Sequence, residues 1–243
     1  MAYVTGSGAG QGGARADGAP GGGAEPAERT SLSVRARDEV RQRIVDRRYP
    51  QGARLVEREV AQELRMSRVP VREALRALVA EGLLELLPHS GVRVRRLERT
   101  DVEHLYEVWE PLAVQASRLA ARRVARAAPG EESRLTALRA CLDRAEQAAS
   151  DSEGSREVAA HTAFHAEIVA LGGNPMLHRT MEQLGGQLQL LFGMREEPAH
   201  MRAQHAVMYR CIAAGDEDSA AASTLLHVRD SRAVALRSLF DDA

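Results

Sequence analysis

The stretch Ser67-Arg68-Val69-Pro70-Val71-Arg72-Glu73-Ala74-Leu75-Arg76-Ala77-Leu78 constrains this chain more than any other. Ser67 suits a helix N-cap, and Pro70 falls in the first turn, where a missing N–H does no harm. Val71, Leu75, Leu78 and Val79 recur at helical spacing and give the segment one apolar face. Arg68, Arg72 and Arg76 recur every fourth residue on a second face. A short helix with a buried stripe, a guanidinium row and a free amide end fits a groove of duplex DNA. Arginine meets a guanine edge or a phosphate through two hydrogen bonds, and free N–H groups hold phosphate. A solvated surface helix carries the same residues, so the neighbouring elements decide.

Those neighbours complete a small unit over residues 32–96. Leu32 to Arg48 is expected as a first helix, with Val34, Val40, Ile44 and Val45 inward and Tyr49-Pro50-Gln51-Gly52 ending it. A second helix is expected over Glu57 to Leu64, then a tight turn at Arg65-Met66. After Gly82, Leu83–Leu87 and Val92–Val94 read as two short strands around Pro88-His89-Ser90-Gly91. Three helices and a β-hairpin make a winged helix-turn-helix. In that fold the second helix of the turn enters the major groove, and the wing reaches the adjacent backbone or minor groove.

The chain is mainly α. Aromatic residues are only 3% against 44% hydrophobic, so alanine, leucine and valine must fill the interior, which favours helices over sheet. The net charge of −1 hides an asymmetry. Residues 31–96 hold 15 arginines against 9 acidic residues, whereas residues 97–243 hold 16 against 22, so the two halves suit different partners. All 33 basic residues are arginine, which reads as genome bias more than as function. Cys141 and Cys211 have no motif spacing and read as buried thiols in a reducing compartment. With no long apolar run and no secretory h-region, the expected location is the cytoplasm. Residues 1–31, with nine glycines before Glu25, read as a disordered leader.

Residues 97–243 show no strand-like alternation and read as an all-α six-helix bundle. Thr100-x-x-Glu103 offers a capping box for its first helix, which runs to about Ala128 and in which Pro111 should produce a bend. The second runs from about Glu131 to Ala149, and Ser155 caps a third to Leu171. A fourth runs from Met176 to about Arg195, a fifth from Pro198 to Ala214, and the last ends at Phe240. Four histidines stand out: His161 and His165, one turn apart, and His205 and His227 on the last two helices. Imidazoles at i and i+4, joined by ligands from facing helices, can hold a divalent metal inside a bundle. His104, His178 and His200 read as incidental surface residues.

Residues 32–96 resemble the GntR family of bacterial transcription regulators. The likeness rests on Tyr49-Pro50-Gln51-Gly52-Ala53-Arg54-Leu55, Glu57-Arg58-Glu59-Val60-Ala61, Ser67 to Leu75, Glu81-Gly82-Leu83 and Ser90-Gly91-Val92-Arg93-Val94. It implies that Arg58, Ser67, Arg68, Val69, Pro70 and Arg72 face DNA, while His89, Ser90 and Gly91 form the wing tip. Val69 stands where Thr is more usual, leaving an apolar contact such as one to a thymine methyl. Val56 likewise replaces the usual cap residue ahead of the second helix.

His161-Thr162-Ala163-Phe164-His165, Gly173-Asn174-Pro175, His205, Ile212-Ala213-Ala214-Gly215-Asp216, Ala220 and His227 resemble the FCD effector domain of the family's FadR-type branch. That likeness implies a metal held by three histidines, here His165, His205 and His227, and a carboxylate whose position falls on His161. An all-imidazole set would favour Zn²⁺ or Ni²⁺. The resemblance also implies an organic-acid effector paired with an Arg on the first bundle helix, and a Glu four residues on. Those positions read Trp109 and Ala113 here, so a carboxylate would depend on the metal or on Arg202.

The resulting expectation is a homodimeric regulator, by default a repressor, that reads a roughly palindromic operator in double-stranded DNA and responds to a small molecule bound at or near a metal. An effector-independent or metal-responsive DNA binder is the alternative. A metal-dependent hydrolase is the remote one, because its nearest general base, Glu167, falls on a different helix face from His165.

Overall fold

A computed structural model describes residues 26–88, 91–127, 130–151, 154–193 and 199–241. The expected leader lies outside the described residues up to position 25; from there the first helix, α1, already runs Pro26–Val45. Strand β1 (Arg54–Leu55), α2 (Glu57–Leu64), α3 (Arg68–Ala80), β2 (Leu84–Leu86) and β3 (Val92–Val94) follow. The sheet has a third strand that the sequence does not announce. Two residues are too few to alternate visibly, yet Leu55 pairs with Val92 and gives the order β1-β3-β2, antiparallel throughout. Alternation holds where it can: Val92 and Val94 are buried, and Arg93 between them pairs outward with Glu85 of β2. Gly91, at φ 88°, brings the wing so close to β1 that a Cβ there would sit 2.8 Å from the Leu55 carbonyl oxygen.

Six helices form the rest: α4 (Arg99–Ala125), α5 (Glu131–Ser150), α6 (Gly154–Gly172), α7 (Pro175–Gly193), α8 (Ala199–Ala213) and α9 (Glu217–Leu236), with a π turn at Arg237–Asp241. The box that starts α4 is not the expected one. Glu98 is the N-cap, and its N–H donates to Asp101 Oδ2 at 3.1 Å, two residues ahead of the Thr100/Glu103 reading. Two other starts follow directly from their side chains. Asn174 Oδ1 accepts from Met176 N–H at 3.0 Å, and Asp216 Oδ1 accepts from Ser219 N–H at 3.0 Å. Alanines 113, 116 and 120 of α4 are buried, as are Ala220 and Ala221 of α9, so these two helices approach closely. Thr224 Oγ1 donates to Ser117 Oγ at 2.7 Å inside that seam.

The two units share one core. Leu78 and Leu83 of the winged helix are completely buried in the same apolar cluster as Tyr106, Trp109, Leu191 and Phe192 of the bundle. A second cluster around Leu138, Phe164, Met208 and Ile212 fills the far end. Among the described residues, no helix is long and apolar enough to cross a membrane.

Candidate nucleic-acid interface and metal centre

Helix α3 forms because its sequence separates two faces cleanly. Val71, Ala74, Leu75 and Leu78 are buried, while Ser67, Arg68, Val69, Arg72 and Arg76 are exposed. Ser67 occupies the N-cap in extended conformation, but its side chain makes no capping hydrogen bond, so its hydroxyl is not committed to the helix start. Pro70 is buried, which takes it out of the exposed row and leaves it the role of opening the helix. Arg58, on α2, is exposed as well. His89 and Ser90 lie outside the described residues; Gly91 is exposed on the wing.

One carboxylate organises the exposed arginines. Arg68 Nε donates to Glu57 Oε1 at 3.0 Å, and Arg72 Nε donates to Glu57 Oε2 at 2.9 Å. The hydrogen bond from Arg72, reinforced by Arg68, holds the Glu57 carboxyl below the ordinary glutamate value. Glu57 was not among the residues singled out from the sequence. Its first-turn position on α2 is visible there, but its closeness to α3 depends on the fold of the turn.

In the bundle, α6 supplies His161 and His165, α8 supplies His205 and α9 supplies His227, all buried. One ring nitrogen from each lies within 4.8 Å of all the others. His205 Nε2 and His227 Nε2 are 3.1 Å apart. Two nitrogens bound tetrahedrally to zinc, each about 2.0–2.1 Å from it, stand roughly 3.3 Å apart.

Outer partners set the tautomer of His227. Gln204 Nε2 donates to Asp230 Oδ2 at 2.6 Å, which turns the amide oxygen Oε1 toward His227 Nδ1, 3.1 Å away. An amide oxygen only accepts, so Nδ1 carries the proton and the Nε2 lone pair faces the cluster. The four buried imidazoles, with one lone pair already aimed inward, fit a divalent ion. His161, at the position where the resemblance implies a carboxylate, converges with the other three histidines.

The remaining candidates separate. Trp109 is completely buried, with ring centroids 5.4 Å from His165 and 5.5 Å from Phe192. Phe192 in turn packs edge-on against His161 at 4.3 Å, a contact that sequence reading missed. Ala113 is buried one turn beyond Trp109. Arg202 Nη1 donates to Glu157 Oε1 at 2.6 Å. Glu167 accepts from Arg134 at 3.2 Å and is not one of the residues that converge on the histidines. His104 and His200 are exposed, and His178 stands 3.4 Å from Glu182.

Residues 32–94 match the family described as "Bacterial regulatory proteins, gntR family", and residues 104–230 match the FCD domain. The chain is 32% identical to a protein of Paenarthrobacter nicotinovorans named "Probable D-xylose utilization operon transcriptional repressor", over 82% of this chain and 87% of that protein. It is 28% identical to the Nta operon transcriptional regulator of Aminobacter aminovorans, over 73% of this chain and 82% of that one. The solved structure of McbR/YncC from E. coli shares the fold, with a TM-score of 0.72 at 20% identity over 85% of this chain and 97% of that chain. The chain therefore belongs to the GntR family of bacterial transcriptional regulators, DNA-binding proteins rather than enzymes, in the FadR-like branch with a C-terminal FCD domain.

Proposed function

We propose that this regulator is a cytoplasmic homodimeric repressor with a DNA-reading part at 32–96 and an effector part at 97–243. Each protomer places α3 in the major groove of one half of a roughly palindromic operator. Arg58, Arg68 and Arg72 meet guanine edges or phosphates, Ser67 meets phosphate, Val69 meets a thymine methyl, and the wing at Gly91 follows the neighbouring groove. The observation that carries this reading is the exposure of Arg68 and Arg72 side by side on α3, over a fully buried apolar face. The name of the Paenarthrobacter relative, a repressor, supports the sign of regulation.

His161, His165, His205 and His227 hold one Zn²⁺ or Ni²⁺. The bound ion would supply a Lewis-acidic centre to which an effector's oxygen atoms can be anchored. The residues around it do the rest: Gln204 orients His227, and the rings of Trp109 and Phe192 pack against His165 and His161. A purely metal-responsive regulator is the second reading, favoured by Trp109 at the position where an effector-pairing arginine is expected.

The test is a quantitative gel shift at fixed salt on the duplex upstream of the protein's own coding sequence. It is run with metal-free protein, with Zn²⁺ or Ni²⁺ restored, and then with small carboxylates. Tight, sequence-specific retardation that carboxylates relieve supports the first reading, and response to metal alone supports the second. Equal retardation of unrelated DNA contradicts both.

A further inference from the structure

The turn that joins α2 to α3 is closed on a residue ill suited to it. Met66 N–H donates to the Ala61 carbonyl at 3.0 Å, and Arg65 N–H to that of Gln62 at 3.2 Å. This closure holds Arg65 at φ 53° and ψ 41°, the left-handed conformation that glycine adopts freely and other residues resist. The turn cannot relax without unseating Met66 from the apolar core. Arg47 and Ala127 also take positive φ, but they lie past the ends of α1 and α4.

The Arg65 side chain has no acid to answer it. Glu63, two residues earlier, accepts from Arg43 Nη1 at 3.0 Å and also from Tyr49. Glu57 is occupied by Arg68 and Arg72. Among the described residues, no carboxylate pairs with Arg65, which is exposed in the same stretch as Ser67, Arg68 and Val69. Packing therefore does not explain a bulky cation in a conformation that glycine would take without strain. Strain of this kind persists where the side chain it presents has a task.

We propose that Arg65 is a phosphate clamp: its guanidinium grips the DNA backbone at the edge of the groove that α3 enters, and so seats the helix. The inference rests on the reading of α3 as the helix in the major groove, and it adds a contact ahead of that helix. Arg65 precedes α3, so it stands at the shoulder of the arginine row and not within it. A phosphate held there fixes position and register without reading sequence. Each phosphate neutralised also releases counterions, so the contact shows itself in the salt dependence of binding.

The experiment measures fluorescence anisotropy of the full-length protein at several salt concentrations. The probes are the duplex upstream of its own coding sequence and a random duplex of equal length. Arg65→Gln removes the charge and keeps the strain, Arg65→Gly removes both, and Arg65→Lys keeps both. The Gln and Gly variants are expected to bind both duplexes at least about fivefold more weakly, with the log–log salt slope shallower by about 1 per protomer. The Lys variant should keep most of the affinity, and the Gly variant should melt above the Gln variant. That combination, a firmer turn with weaker binding, is not what a merely structural arginine gives. Wild-type affinity and slope in Arg65→Gln and Arg65→Gly overturn the proposal. So does a loss confined to the protein's own upstream duplex, which marks a base contact, or equal melting of the two variants, which removes the strain. Arg68→Ala/Arg72→Ala runs in parallel: if it loses sequence preference while the Arg65 variants bind as wild type, the α3 reading stands and only the clamp falls. If it keeps that preference, both fall.

Discussion

Arg72 donates through Nε to Glu57 at 2.9 Å, tying the exposed, arginine-bearing face of α3 to the first turn of α2. Arg68 shares the same carboxylate, so two guanidinium groups hold a fixed relation before any DNA arrives. The pairing depresses the Glu57 pKa in the folded state. A depressed carboxyl stabilises the fold above its unfolded value and loses that contribution as pH falls through the folded one. The melting temperatures of wild type and Glu57→Gln should therefore differ most at neutral pH. That gap should close below the ordinary glutamate value of 4.5. A gap that stays constant down to pH 3 contradicts the assignment.

Removing the same carboxylate should have the opposite effect on nonspecific binding. Glu57→Gln leaves Arg68 and Arg72 charged but unneutralised and no longer oriented. Affinity for random duplex should rise, with a log–log salt slope steeper by up to about 1, while preference for the operator falls. Fluorescence anisotropy at several salt concentrations measures both. Unchanged discrimination would show that Glu57 plays no part in positioning.

The histidine cluster makes a stoichiometric prediction. Protein purified without chelator should carry about one divalent ion per chain, and the double variant His165→Ala/His227→Ala should carry none. Gln204→Leu should keep the four ligands yet weaken metal binding by about 10–100-fold, because His227 loses the acceptor that fixes its tautomer. Elemental analysis and competition with a chromogenic chelator check this. Wild-type metal affinity in Gln204→Leu would remove the outer relay.

Gly186→Ala tests how firmly α7 is seated on the end of α3. The added methyl overlaps the Glu81 carbonyl, a backbone atom with little room to move. Overpacking of this kind costs about 1–3 kcal/mol. Thermal unfolding should show a lower transition temperature, and Gly185→Ala, with open space at its Cβ, should serve as the neutral control. Equal behaviour of the two variants contradicts the close approach.

Much of this is legible in the amino-acid sequence alone. Helices α2 and α3 and the six bundle helices follow from periodicity and stop signals, and the His161/His165 spacing places two imidazoles on one helix face, although only His205 and His227 turn the pair into a cluster. What escaped depends on contacts between elements distant in sequence. Strand β1 is too short to alternate; Phe192 reaches His161 only because α7 crosses α6. Arg37 and Arg41 look like ordinary charges on α1 until the fold brings Glu81 against both. The Thr100/Glu103 box failed because an equally good box, Glu98 with Asp101, lies two residues earlier.

DNase footprinting of the protein's own upstream region, comparing wild type with Arg68→Ala/Arg72→Ala, tests the central claim most directly. The account predicts two protected half-sites one helical turn apart or a multiple of that. In the variant, protection should vanish at concentrations at least tenfold higher, since each lost base contact is worth about 1–3 kcal/mol, while circular dichroism shows an unchanged fold. The same footprint from both proteins would contradict it.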